Sequence, residues 1–466
     1  MCVTAHFVDK DWKLQKKIIN FCQISSHRGQ DMGGVLQDCL TYWNLDRKLL
    51  TVTVDNASAN DVLCAYISEM VSSRGSITEG KYVHIRCMAH ILNLIVQDGI
   101  KQCGVHVDKL RAVIKYVRGS PARLQGLKQQ AEKYKVNCNI CLRLDVCTRW
   151  NSTYEMLSSA IPYKAVLSRM DIPRLDDSNL GPLSSSDWSK IEVLASYLKE
   201  FYELTKRMSG SHYITSNYMI FHISQVVKVL TKLVASDDPA LRQMAGEMKK
   251  KCDKYWGSFD NLNMLIFVPT ILDPYFKLKG VGYALQVMYP QDNVENMLAK
   301  VKDTAYALFD RYVSLYAVSE SQDTGSQSNP LIDSTPESSS WLQDFNANTD
   351  RDDNSDRSEF DLYLRERNEP KEVDVLRWWR LNGPRYPILS RMARDALAIP
   401  ITTVPSESTF STSGRHLTSY RSRLKPKIVQ ALVCTQDWLQ LRKNSDSDST
   451  NSDGDTDEED EGTFCA

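Results

Sequence analysis

The strand-like patterning in this chain lies within its first 90 residues, and from residue 105 to 317 the apolar spacing is almost wholly helical. A half-buried strand repeats its apolar residues every second position, whereas an amphipathic helix repeats them every 3.6. Runs near 2–9, 12–24 and 49–55, with a short one at 82–86, therefore predict strands. Helical spacing predicts helices near 29–44, 60–75 and 88–100. Segments such as DKLRAVIKYVRG, SDWSKIEVLASYLKEFYELTKRM and SNYMIFHISQVVKVLTKLVAS then predict a large all-α block, and residues from about 359 to 440 a last helical region. The fold class expected is α/β plus α, with no internal repeat.

A chain of 466 residues can bury an ample core and divide into two to four domains. No run of 18 apolar residues occurs, so no membrane-spanning helix is expected. The opening MCVTAHFVDKDWKLQKK lacks the charged-then-apolar order of a secretory signal. Twelve cysteines are too dilute for a disulfide framework, and reduced thiols are expected.

The net charge of −1 hides a segregation. Residues 319–361 carry 11 acidic and 2 basic side chains, and residues 444–466 carry 9 acidic and none basic. The other 55 basic and 38 acidic side chains give the remainder +17. So basic a body suits a polyanionic partner, because each neutralised phosphate releases counterions; lysines spread over a solvated surface would give the same sum. The two acidic segments bury too little apolar surface to offset chain entropy. They are expected to be a disordered linker at 319–358 and a disordered tail at 443–466.

Several motifs carry chemistry. The run LTVTVDNASAN delivers Asp55 to the end of a strand, where a carboxylate can serve a site or simply open a turn. Cys87 and His90, in CMAH, share a face if both are helical, but zinc needs two further ligands, and only Cys138, Cys141 and Cys147 suggest themselves. Arg149-Trp150 offers a guanidinium for a phosphate and a flat ring for an unpaired base, or a core tryptophan. Glu407, in PSESTFS, reads by itself as a first-turn helix acid. The stretch with Arg415, Arg421, Arg423, Lys425 and Lys427 fits phosphate contact, nuclear import or a solvated face. Trp378, Trp379, Tyr386, Ile388, Leu389, Met392 and Leu397 form a cluster large enough to anchor a subunit interface, or an internal core.

In this order, with PTILDPYFK at 269–277 and the C-terminal LRWWRLNGPRYPILSRMARDALAIPITTVPSESTFSTSGRHLTSYRSRLKP, these elements resemble the hAT superfamily of transposases, closest to its domesticated plant branch. The resemblance implies an RNase H-like core interrupted by a helical insertion, a C-terminal dimerisation region, and a triad of acids whose second and third members match Asp55 and Glu407. Cys87, His90, Arg149 and Trp150 would lie beside the DNA strand. The family's first acid, its strand and its BED-type zinc finger would all precede Met1, so a truncated and catalytically inactive protein is expected. The division implied is an incomplete core at 1–104, an insertion at 105–318, the linker, a dimerisation region at 359–442 with Trp378, Trp379, Tyr386, Leu389 and Met392 at its interface, and the tail. The expected role is nuclear: DNA binding, homo- or heterodimerisation with related chains, and transcriptional regulation. No membrane partner is implied, and no cofactor apart from Mg²⁺ at any residual acid site. The rival readings are an active transposase using metal-dependent strand transfer, with Asp9 or Asp11 replacing the first acid, and a fragment that only dimerises.

Overall fold

The computed structural model describes residues 1–136, 141–147, 149–170, 182–210, 213–320, 358–414 and 424–447, and at 317–320, 411–414 and 440–447 the backbone alone. The chain forms two compact units. One comprises Met1–Ala5, Lys16–Ser26 and the chain from Pro405 onward; the other comprises His6–Gln15 and His27–Val404. The acidic stretches 321–357 and 448–466 lie outside the described residues. Residues 443–447, expected in the tail, instead continue the last helix.

The chain opens with a hairpin, β1 (Cys2–Val8) and β2 (Leu14–Phe21). Its second strand starts later than the pattern predicted, because the turn takes Trp12 to φ 60°. Asp9 organises that turn: Oδ1 accepts from the backbone N–H groups of Asp11 and Lys13, each at 2.9 Å, and Oδ2 accepts from Gln15 at 2.7 Å. An Asx turn of this kind uses up the carboxylate locally.

The next strands, β3 (Val52–Val54) and β4 (His84–Arg86), pair in parallel, with Val52 opposite His84 and Val54 opposite Arg86. Helices α1 (Gly29–Tyr42), α2 (Ser58–Ser73) and α3 (Met88–Gln102) alternate with them in the predicted order. At the start of α1 only glycine fits, since a Cβ on Gly29 would stand 2.3 Å from the Ala59 carbonyl oxygen of α2. The helical block follows as α4 (Gly104–Arg118), α5 (Pro121–Lys133), α6 (Trp150–Ala160), α7 (Lys164–Leu167), α8 (Ser185–Met208), α9 (Met219–Val234), α10 (Pro239–Trp256), α11 (Val268–Ile271), α12 (Lys277–Met288) and α13 (Val294–Glu320). A capping box, Ser184 with Asp187, starts α8 and satisfies two orphan donors. Helix α3 packs along α10 and α8.

The C-terminal part continues with α14 (Glu359–Arg365), α15 (Val375–Asn382), α16 (Pro387–Leu397), α17 (Val404–Gly414) and α18 (Pro426–Ser447). The first three belong to the core of the larger unit, through a clasp on the PTILDPYFK element. Donors from residues 363–379 cap its carbonyl oxygens in turn: Tyr363 Oη on Ile271, Trp379 Nε1 on Leu272, the Glu369 N–H on Pro274, and Asn368 Nδ2 on Tyr275 and Phe276. Lys277 closes the clasp from the other side, donating to the carbonyls of Tyr363 at 2.5 Å and Glu366 at 3.1 Å. Burial pushes its pKa down, although Glu366 and Glu369 oppose that shift.

Asp395 on α16 accepts a hydrogen bond from Tyr312 of α13 at 2.6 Å. Burial raises its pKa, while Tyr312 and Arg394 pull the other way. A carboxyl raised in the folded state contributes most stability below its unfolded pKa, about 3.9, and loses it as pH rises through the folded value. Asp395→Asn keeps an acceptor for Tyr312 and removes the charge. Its melting temperature relative to the parent is expected to rise between pH 4 and pH 7, read by calorimetry at both. A gap that does not change with pH would show that the carboxyl titrates normally.

Candidate functional site

Ligand sites in parallel sheets form beyond the C-terminal ends of the strands. Here β3 ends at Val54, whose carbonyl accepts from the Cys87 N–H just past β4, so Asp55 and Cys87 leave the sheet side by side. Asp55 Oδ1 accepts from the Ala57 N–H at 2.9 Å and from Asn60 Nδ2 at 2.7 Å, which turns the chain into α2. Around it stands a polar cluster that sequence reading did not assemble. Arg86 Nη2 donates to Asp61 at 2.9 Å and Nη1 to Asn56 at 3.4 Å, while Asn56 Nδ2 reaches the Cys87 carbonyl at 3.4 Å. His84 Nδ1 lies 3.6 Å from the same Asp61 oxygen. Burial lowers its pKa, Arg86 adds to that, and Asp61 partly offsets it. Asn263 fixes β4 from outside by donating to the Tyr82 and His84 carbonyls. Asn56, Asn60 and Arg86 flank motif residues in sequence, but only the parallel register shows that they meet.

Cys87 does not share a helical face with His90 as expected. It caps α3 in a non-helical conformation and is 1 % exposed. Its Sγ accepts from the N–H and the hydroxyl of Thr403, both at 3.3 Å. Together with Thr53 Oγ1 on the Pro400 carbonyl and the Met88 N–H on Ile401, this lays residues 400–403 beside β3 and α3. The thiol is thus an internal tie, and its assignment to DNA contact is corrected. His90 is half-buried in the first turn of α3. Cys141 and Cys147 are exposed, and Cys138 lies outside the described residues.

Trp150 is a second correction. It begins α6 at 3 % exposure within the core, so its ring is closed to a base, whereas Arg149 beside it is exposed. A third concerns the expected dimer interface. Trp379, Tyr386, Leu389 and Met392 are at most 1 % exposed in the chain's own core. Trp378 is half-buried, meets Trp379 edge to face at 5.1 Å, and donates to Glu369. Adjacent tryptophans do share one core here, because the second turns inward to the clasp while the first lies over it.

Glu407 belongs to the other unit. It is exposed in the first turn of α17, where Ser408 and Thr409 bond back to the Pro405 carbonyl. Lys425 and Lys427 are exposed at the start of α18, and Arg415, Arg421 and Arg423 lie outside the described residues. Magnesium takes near-octahedral oxygen ligands. Among the described residues no group of three or more His, Cys, Asp or Glu side chains is placed to hold a metal ion. Among the described residues no helix is long and apolar enough to cross a membrane.

Comparison with known proteins extends these observations. Residues 1–82 match a ZBED1 RNase-like domain, 85–197 a ZBED1 RNase-like helical domain, 217–312 an hAT-like transposase domain of RNase-H fold, and 359–439 the hAT family C-terminal dimerisation region. The chain is 32% identical over 456 residues to the zinc finger BED domain-containing protein RICESLEEPER 2 of Oryza sativa subsp. japonica, covering 94% of this chain and 62% of that one. It is 32% identical over 449 residues to a putative AC transposase of Zea mays, covering 94% and 54%. Against DAYSLEEPER of Arabidopsis thaliana it is 27% identical over 448 residues, covering 96% and 62%. The chain thus spans 54% to 62% of the length of these three relatives.

Proposed function

Since the chain belongs to the hAT transposase-like family, we propose that it is a nuclear protein of transposase descent that binds DNA, dimerises and does not cut the strand by itself. The observation that carries the reading is similarity along 94% of the chain to RICESLEEPER-type proteins, joined to a +17 charge outside the two acidic segments. Exposed Arg149, Lys425 and Lys427 supply the kind of phosphate contact that positions a duplex without reading its sequence. By resemblance, Asp55 and Glu407 match two of the family's acids. Asp55 Oδ1 accepts two hydrogen bonds from its own turn, and with only these two acids matched the metal cradle reads as incomplete. A site of this kind would leave a transcription-related role to binding alone.

The 466-residue chain is expected to bind mixed-sequence duplex DNA weakly, with affinity falling at least about tenfold between 50 and 200 mM salt. Removing residues 444–466 should tighten binding if the acidic tail competes with phosphate. Fluorescence anisotropy reads both effects, and a salt-independent affinity would overturn the phosphate basis. In Mg²⁺ or Mn²⁺ no nicking of terminal-repeat DNA is expected. Cleavage that Glu407→Ala abolishes would instead establish an active transposase.

A further inference from the structure

The tryptophan cluster inside the dimerisation match is buried, so the surface that meets a second copy lies elsewhere in 359–439. We propose that this surface is the outer face of α18, along Ile428, Leu432, Thr435 and Leu439, and that its occupant is the same helix of a second copy of this chain. The inference rests on the dimerisation reading above and assigns it a place.

Four observations converge. The inner face of α18 is already satisfied. Val429 and Val433 are 7% and 5% exposed against Ile18 of β2, with Asp437 accepting from the Ile18 N–H and Trp438 donating to the Ile18 carbonyl. The outer face is apolar but open, with Ile428 at 47%, Leu432 at 40% and Leu439 at 54% exposure. Their spacing, with Thr435, is four, three and four residues, the seam of a two-helix coiled coil. Exposed Ala431 beside Leu432 adds no bulk to hold a partner backbone away. An exposed apolar stripe, broken by Thr435 and lying outside the face already packed on β2, marks an interaction face.

The occupant follows from what else could cover the stripe. The two longest parts of the chain outside the described residues, 321–357 and 448–466, are rich in Asp, Glu and Ser and offer no matching apolar run. A second α18 offers the same stripe, as a two-fold contact requires.

The test uses the full chain. Sedimentation velocity from about 1 to 50 µM should show a dimer, since weak dimers dissociate in the micromolar range. Leu432→Glu should weaken self-association by about 30-fold or more, the usual effect of disrupting a central interface residue, with unchanged far-UV circular dichroism and melting temperature. Leu381→Glu, at a 70% exposed position in the larger unit, should leave the dimer intact. Under mild oxidation, Leu432→Cys should give a reducible dimer band stronger than that of the parent. A parent that stays monomeric overturns the dimerisation reading together with this one. A parental dimer that Leu432→Glu and Ile428→Glu both leave intact overturns the α18 assignment alone.

Discussion

Trp379→Ala is expected to destabilise the larger unit by about 3–5 kcal/mol, enough to unfold many domains of ordinary stability. The indole is 0% exposed, stacks near-parallel on Trp12 with centroids 6.3 Å apart, and packs against Tyr363 and Tyr386. Its Nε1 also caps the Leu272 carbonyl at 2.8 Å, so alanine leaves both a large cavity and an unpaired buried acceptor. Trp378→Ala should cost less, about 1–2 kcal/mol, because that ring is half-buried and borders solvent. Urea melts of the two variants separate the cases. Equal losses, or a Trp379→Ala chain as stable as the parent but monomeric, would return Trp379 to an interface.

Arg111→Met should cost a comparable 3–5 kcal/mol, since removing one partner of a buried pair strands the other charge, roughly as in other proteins. Arg111 on α4 grips Asp145 with two bonds of 2.7 Å, and the Asp145 side chain is 0% exposed. Among the described residues, Thr153 at 2.9 Å remains as a side-chain donor to that carboxylate. Burial by itself would raise the Asp145 pKa, but the bonds from Arg111 and Thr153 hold it below its ordinary value. The parent pair therefore contributes above the unfolded pKa and is lost as pH falls through the depressed folded one. Without the guanidinium, burial wins and the sign reverses. The variant's deficit should be largest near pH 7 and shrink toward pH 4, where the carboxyl can be neutral. Adding Asp145→Asn should recover much of the loss at pH 7. A deficit that is the same at both pH values would mean that lost packing, not a stranded charge, is responsible.

Local patterns carried far in this chain. The alternation of LTVTV and the helical spacing after it placed β3, α2 and α3 to within a few residues, because period and turn chemistry are properties of neighbouring side chains. The strand ends were less legible. β2 starts at Leu14 because Asp9 folds the preceding residues into a turn. The sequence left core and contact readings both open for Trp150 and Trp379 and did not show which held, and it did not show the burial of Cys87. A tryptophan in sequence looks the same whether its ring faces solvent or a carbonyl more than a hundred residues upstream. The polar cluster at Asp55 depended on the parallel register, which brings Arg86 to Asn56 and Asp61. No spacing rule along the chain encodes that meeting.

The clasp on residues 271–277 bears on how fragments of this protein should be cut. A fragment starting at 359, the obvious choice for testing self-association, carries α14 to α16 away from the carbonyls they cap. It would expose Trp379 and Tyr363 and aggregate through surfaces that the intact chain never presents. A pull-down with such a fragment would score stickiness as partnership. A cut after Val404 leaves the clasp whole but uncovers Ile18 of β2, on which Val429 and Val433 pack, so self-association is better read from point substitutions in the full chain.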